Sequence, residues 1–162
     1  MKGDKGCLLI GNTRWHWAIE NDQKWKCFHT SPSQTNLNKI TIPFFRWCAV
    51  GAIPEHLYLN NSKKLHLNDI PIPNKKSWLG IDRALASWGA LQKKDFSEKN
   101  PNGIWIIDAG TILSLTRITN RGEFLGGQLI PGLNLQLSAM AERTQNLIKP
   151  QIELLPKDLF PV

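Results

Sequence analysis

The chain has 162 residues, 41% of them hydrophobic and 20% charged, with a mean hydropathy of −0.28, so it is long enough to bury a substantial core and carries no apolar run that could span a membrane. Its formal charge of +7 and pI near 9.5 raise nucleic-acid binding as a function. However, the lysines come in pairs (Lys63 and Lys64, Lys75 and Lys76, Lys93 and Lys94) with no basic stripe interleaved with aromatics, which favours a solvated surface attractive to small anions over a nucleic-acid partner.

The opening residues, MKGDKG, show no cleavable signal pattern, and a cytoplasmic protein without membrane contact is expected. Cys7, Leu8, Leu9 and Ile10 form an apolar run that reads as a buried strand, closed by Gly11, Asn12 and Thr13. Arg14 to Glu20 then alternate, placing Trp15, Trp17 and Ile19 on one face and Arg14, His16 and Glu20 on the other. Lys24 to His29 reads as a third strand, and the polar stretch Thr30 to Lys39 as a loop or short helix. Trp47 to Gly51 is a further apolar strand, and Glu55 to Asn60 reads as a helix with Pro54 in its first turn. Leu65, His66 and Leu67 suggest a short strand before the Pro-rich connection Ile70 to Asn74.

From Leu79 to about Gln92, Ile81, Ala84, Leu85, Trp88 and Leu91 recur at helical spacing, with Asp82 and Arg83 in the first turn. Lys93 to Gly103 is polar and marks a natural boundary between a first domain, residues 1–100, and a second, residues 101–162. Ile104 to Ile107 and Ile112 to Ile118 read as two strands joined by Asp108, Ala109, Gly110 and Thr111, and a last helix carries Leu133, Leu137, Met140, Ala141 and Leu147 to about Ile148. Trp15, Trp17, Trp47, Trp88 and Trp105 fall at apolar positions of these elements and are expected in the core. Three cysteines without CxxC spacing (Cys7, Cys27, Cys48) argue against a disulfide framework or zinc site and read as buried thiols; the four histidines (His16, His29, His56, His66) share no metal-ligand spacing.

Two strand, Gly, polar, Thr, strand hairpins suit a site in which two loops grip phosphates from opposite sides. Gly110 lets the backbone turn and approach a ligand, while the Thr111 hydroxyl and nearby N–H groups can donate to phosphate oxygens. The same residues would equally serve an ordinary hairpin turn. In Gly80–Ile81–Asp82–Arg83, a carboxylate at a helix N-terminus is stabilised as an anion, and the neighbouring guanidinium can bind a carboxylate through two parallel hydrogen bonds. Asp82 would equally be a favourable first-turn residue and Arg83 a surface charge.

GNT at Gly11 to Thr13, CAVGAIP at Cys48 to Pro54, LGIDRALASWGA at Leu79 to Ala90, and DAGT followed by GEFLGGQLIPGL at Gly122 to Leu133 together resemble the type III pantothenate kinases, in the same order and at similar separations. The resemblance spans nearly the whole chain. It implies an α/β, actin-like (ribonuclease-H-like) ATPase fold with mixed sheets flanked by helices. It also implies phosphorylation of pantothenate by ATP, the first step of coenzyme A synthesis, by a homodimer.

Residue by residue, the resemblance implies that Asp82 is the general base and that Gly80, Ile81 and Arg83 bind pantothenate. It implies that Leu9, Ile10, Gly11, Asn12, Thr13, Arg14, Trp15 and His16 form the first ATP loop, with Thr111 contacting phosphate from the second. Asp108 would be the ligand of a monovalent cation, potassium or ammonium, and magnesium would accompany ATP. Three departures qualify the match: the first loop has Leu9 where the family carries Asp, the Tyr and Pro before the GxDR loop are not recognisable in Asn74 to Trp78, and the chain stops at Val162 with the second domain incomplete. Leu9 and the early stop support an alternative, a catalytically weakened or inactive relative acting as a binding or transcription accessory protein.

Overall fold

A computed structural model describes residues 5–38, 42, 44–55, 59–93 and 95–148. The chain is a mixed α/β protein with two sheets and flanking helices. The first sheet contains β1 (Lys5–Ile10), β2 (Trp15–Asn21), β3 (Lys24–Thr30) and β4 (Phe44–Ala49) in the order β3-β2-β1-β4. β1–β2 and β2–β3 are antiparallel, and β4 lies parallel to β1, with Leu9 opposite Cys48 and Ile10 opposite Ala49. The parallel step needs a crossover, and the chain between β3 and β4 includes α1 (Gln34–Asn38). The second sheet contains β5 (Ile104–Ala109), β6 (Ile112–Ile118) and β7 (Phe124–Pro131) in that order. Three further helices are α2 (Ile81–Leu91), α3 (Phe96–Lys99) and α4 (Leu133–Arg143).

The described residues fall into two compact units, one drawn from residues 1–106 and 116–126, the other from 107–115 and 127 onward. In the first unit, period-two alternation gives the β1–β4 sheet two apolar faces. Leu8, Ile10, Trp15, Trp17 and Trp47 bury one of them. The Trp17 indole stacks on Phe28 with centroids 6.2 Å apart and donates from Nε1 to Thr30 Oγ1 at 3.1 Å, while Trp47 Nε1 donates to the Asn60 carbonyl at 2.9 Å. Burying roughly 200 Å² of indole at about 25 cal/mol per Å² contributes about 5 kcal/mol before entropy, so these tryptophans anchor the sheet. On the other face Leu9 and Cys48 pack with Ile70, Ile72, Leu79, Ile81, Ala84 and Phe124. That cluster seats α2 against the sheet.

Several sequence expectations are corrected. Leu65 to Leu67 is not a strand: Lys64 makes a single parallel bridge to Trp47, and Leu67–Asp69 is a 3-10 turn whose Asp69 carboxylate accepts from the His66 amide at 2.7 Å. The helix expected at Glu55 to Asn60 spans residues 56–58, which lie outside the described residues. The polar stretch before β5 holds α3, whose Phe96 is buried. The last helix stops at Arg143: Thr144 has extended backbone, and its hydroxyl and amide both donate to the Met140 carbonyl. Of the tryptophans expected inside, Trp88 and Trp105 are exposed, the latter beneath the Arg117 guanidinium at 5.6 Å. Cys48 is buried, but Cys7, on the inner strand β1, and Cys27, on the edge strand β3, are exposed. Among the described residues no helix is long and apolar enough to cross a membrane.

Candidate functional site

In the first unit, the carboxyl ends of the parallel strands β1 and β4 open into two loops that pack main chain to main chain. The amides of Val50 and Gly51 both donate to the Ile10 carbonyl, at 3.0 and 3.2 Å, and the Gly11 amide donates to the Arg14 carbonyl at 3.0 Å, closing the Gly11–Arg14 turn. A β-carbon on Gly51 would lie 2.5 Å from the Gly11 carbonyl oxygen, so only glycine permits this approach. The result is a narrow backbone turn at the ends of parallel strands, the place where open α/β sheets bind ligands.

The eight residues expected around this turn divide by direction. Ile10 and Trp15 are fully buried and can offer a ligand only their main chain, while Asn12, Thr13, Arg14 and His16 are exposed. The His16 imidazole lies over Gly11 and beside His29 on the neighbouring strand, centroids 6.1 Å apart. Leu9 points the other way, into the cluster that contains Cys48, Ile81 and Ala84. Position 9 therefore supplies packing rather than a polar group.

α2 brings Gly80–Arg83 to the same strand ends. Asp82 is half-buried at the second position of the helix, and its charge reaches Cys48. Burial first, and then the charges of Cys7 and Asp82, push the Cys48 thiol up to about 12, so Cys48 is a neutral neighbour and not a nucleophile at ordinary pH. Arg83 is not a surface charge. It is 7% exposed, its Nε donates to Thr116 Oγ1 at 2.9 Å, and Ser87 Oγ bonds back to its carbonyl at 2.8 Å. Burial pulls the Arg83 pKa down while the Asp82 carboxylate opposes that shift.

The second unit carries a separate corner built on the DAGT turn. Asp108 is exposed and belongs to β5 rather than to the turn, which is Gly110 and Thr111. The Gly132 amide, at the cap of α4, donates to the Thr111 carbonyl at 3.0 Å, and a β-carbon on Gly132 would strike the Gly110 carbonyl. The corner therefore places a helix N-terminus with no acidic residue in its first turn against the turn of exposed Gly110 and half-buried Thr111. Among the described residues no group of three or more His, Cys, Asp and Glu could hold a metal. Asp108 itself offers a carboxylate, an oxygen donor that suits a hard cation rather than zinc.

The structure thus gathers Leu9 to His16, Cys48 to Ile53 and Gly80 to Arg83 in one unit, and Asp108, Gly110 and Thr111 in the other. Sequence reasoning missed Thr116 and Gly132 as their partners. The buried face of β6 alternates cleanly, but no local pattern reveals that a helical arginine meets the Thr116 hydroxyl on it.

Residues 52–160 match the family described as type III pantothenate kinase. The chain is similar to a type III pantothenate kinase of Thermosynechococcus vestitus, with 37% identity over 145 residues covering 86% of this chain and 54% of that protein. A second from Synechococcus sp. strain JA-2-3B'a(2-13) is 34% identical over 168 residues, covering 94% and 57%, and a third from Gloeobacter violaceus is 32% identical over 160 residues, covering 90% and 62%. The chain spans about half the length of the first two relatives.

Proposed function

The chain belongs to the type III pantothenate kinase family, and from that premise we propose that it phosphorylates pantothenate with ATP in the cytoplasm, giving 4'-phosphopantothenate for coenzyme A synthesis. The single observation that supports this most is Asp82 at the start of α2, close enough to the end of β4 for its charge to act on Cys48. We read the fold as actin-like, with the β3-β2-β1-β4 sheet in a first lobe, residues 1–100, and the separately paired β5–β7 sheet opening a second, residues 101–162.

In this reading the pantothenate primary hydroxyl attacks the γ-phosphorus of ATP, the bond from that phosphorus to the β–γ bridging oxygen breaks, and ADP leaves. Asp82 accepts the hydroxyl proton. Because the transition state is loose, the proton leaves late, and holding the hydroxyl in line matters more than basicity. Gly80 and Ile81 shape the pantothenate loop, and Arg83 receives the carboxylate. Amides and hydroxyls of Gly11 to Thr13 bind phosphate oxygens, and Thr111 is the second proposed phosphate contact. Asp108 would hold a monovalent cation, potassium or ammonium, and that cation, with the magnesium that accompanies ATP, would supply neutralisation of the phosphate charge. A homodimer is the proposed assembly.

A coupled assay with ATP, pantothenate and potassium tests the reading. Turnover that disappears in Asp82→Asn is expected. A folded wild-type chain with neither turnover nor an ATP-dependent thermal shift overturns it.

A further inference from the structure

We propose that Thr116 is a positioning residue, holding the Arg83 guanidinium in the orientation in which it receives the substrate carboxylate; this rests on the reading of Arg83 given above. Arg83 is the third residue of α2 and Thr116 lies on β6, 33 residues further along the chain. Their side chains meet inside the first unit, Arg83 at 7% and Thr116 at 1% exposure, with Nε and Oγ1 2.9 Å apart.

Nε–H lies in the plane of the guanidinium, on the edge nearest the aliphatic stem. A hydrogen bond there sets both the plane and its rotation about the last side-chain bonds, the freedom an arginine otherwise loses only when it binds. The acceptor is itself fixed: Thr116 is β-branched, restricted about its first torsion, and sits on the inward face of a strand, with the fully buried Ile118 two residues on along the same face. Its hydroxyl is also neutral. At this contact the guanidinium gains orientation without having its charge cancelled, which a carboxylate at position 116 would not allow. A valine would fill nearly the same space, so burial alone does not call for the hydroxyl.

Thr116→Val and Thr116→Ser separate the bond from the packing. Thr116→Val is expected to raise KM for pantothenate about tenfold while kcat and KM for ATP stay within about twofold, and Thr116→Ser to restore the wild-type KM. In ¹⁵N-resolved NMR spectra the Arg83 Nε–H signal is expected to exchange slowly in wild type and Thr116→Ser, and rapidly in Thr116→Val. If Thr116→Val does not fold, Thr116→Ala serves the same comparison. A wild-type chain that turns over, with KM for pantothenate unchanged in the variant or raised equally for ATP, overturns this proposal alone. A wild-type chain that neither turns over nor binds pantothenate overturns the reading beneath it and the proposal together.

Discussion

The Asp82 carboxylate folds back over the α-carbon of Gly80, occupying the space that a β-carbon at position 80 would fill. Glycine at the cap of α2 is therefore a condition for where the carboxylate sits. Gly80→Ala forces Asp82 to another rotamer and, with Asp82 as the proposed base, would misplace it relative to the substrate hydroxyl. A fall in kcat of about a hundredfold is expected, with the thermal midpoint moving by only a few degrees, since alanine at a helix cap costs about 1 kcal/mol or less. Steady-state kinetics beside a thermal melt check this; an unchanged kcat removes the assignment of Asp82 as a positioned base.

Leu9 packs against the cluster that holds Cys48, Ile81 and Ala84. Leu9→Asp puts an unpaired carboxylate against apolar side chains, and is expected to lower unfolding free energy by about 1–3 kcal/mol. Urea denaturation measures the loss. If a carboxylate at position 9 places magnesium, as the family pattern implies, magnesium–ATP should raise the melting temperature of the variant more than that of the wild type.

Trp15 and Trp17 are neighbours on one face of β2, with centroids 6.2 Å apart, but only Trp17 uses its indole N–H. Among the described residues the buried Trp15 Nε1 has no hydrogen-bond partner. Both Trp→Phe changes lose similar apolar volume, while only Trp17→Phe also strands the Thr30 hydroxyl. Trp17→Phe is expected to be about 1 kcal/mol more destabilising than Trp15→Phe by denaturant titration; the reverse order would mean that the Trp15 N–H contributes to stability.

Cys48, raised to about 12 in the folded chain from an ordinary value of 9.0, binds its proton more tightly when folded than when unfolded. Its contribution is therefore fully present below pH 9 and is lost as pH rises from about 9 to 12, because the unfolded thiol ionises first, with a slope of at most about 1.4 kcal/mol per pH unit. Cys48→Ala should lose less stability than wild type between pH 9 and 11. Alkylation at pH 8 should modify exposed Cys27 and spare Cys48 until the chain unfolds.

Legibility in the sequence followed local regularity. β2 is readable because its residues alternate, as in Trp15, Trp17 and Ile19 against His16 and Glu20, and β1 and β6 because they are runs of apolar and strand-forming residues. α2 was readable from its apolar spacing, although the pattern missed that Arg83 and Ser87 are buried with Ile81 and Ala84. β7 was not readable as a strand: Gly126 and Gly127 have φ of 128° and 156°, and Pro131 ends it, so propensity argues against an element that pairing with β6 imposes. Trp88 and Trp105 fit the periodicity of their elements and yet are exposed, because spacing tells which face a side chain shares and not what covers that face.

By itself the sequence determined the alternating strands, the amphipathic helix with Asp82 in its first turn, the two Gly–Thr turns and the family, since each is a short-range pattern of residue types. Only the tertiary structure decided that Gly51 locks against the Gly11 turn, that Leu9 faces a core and that Arg83 is buried against Thr116. Those relationships join residues tens of positions apart. They arise when sheet register and helix packing close the chain on itself, and a local pattern of hydrophobicity carries no record of the partner across that gap.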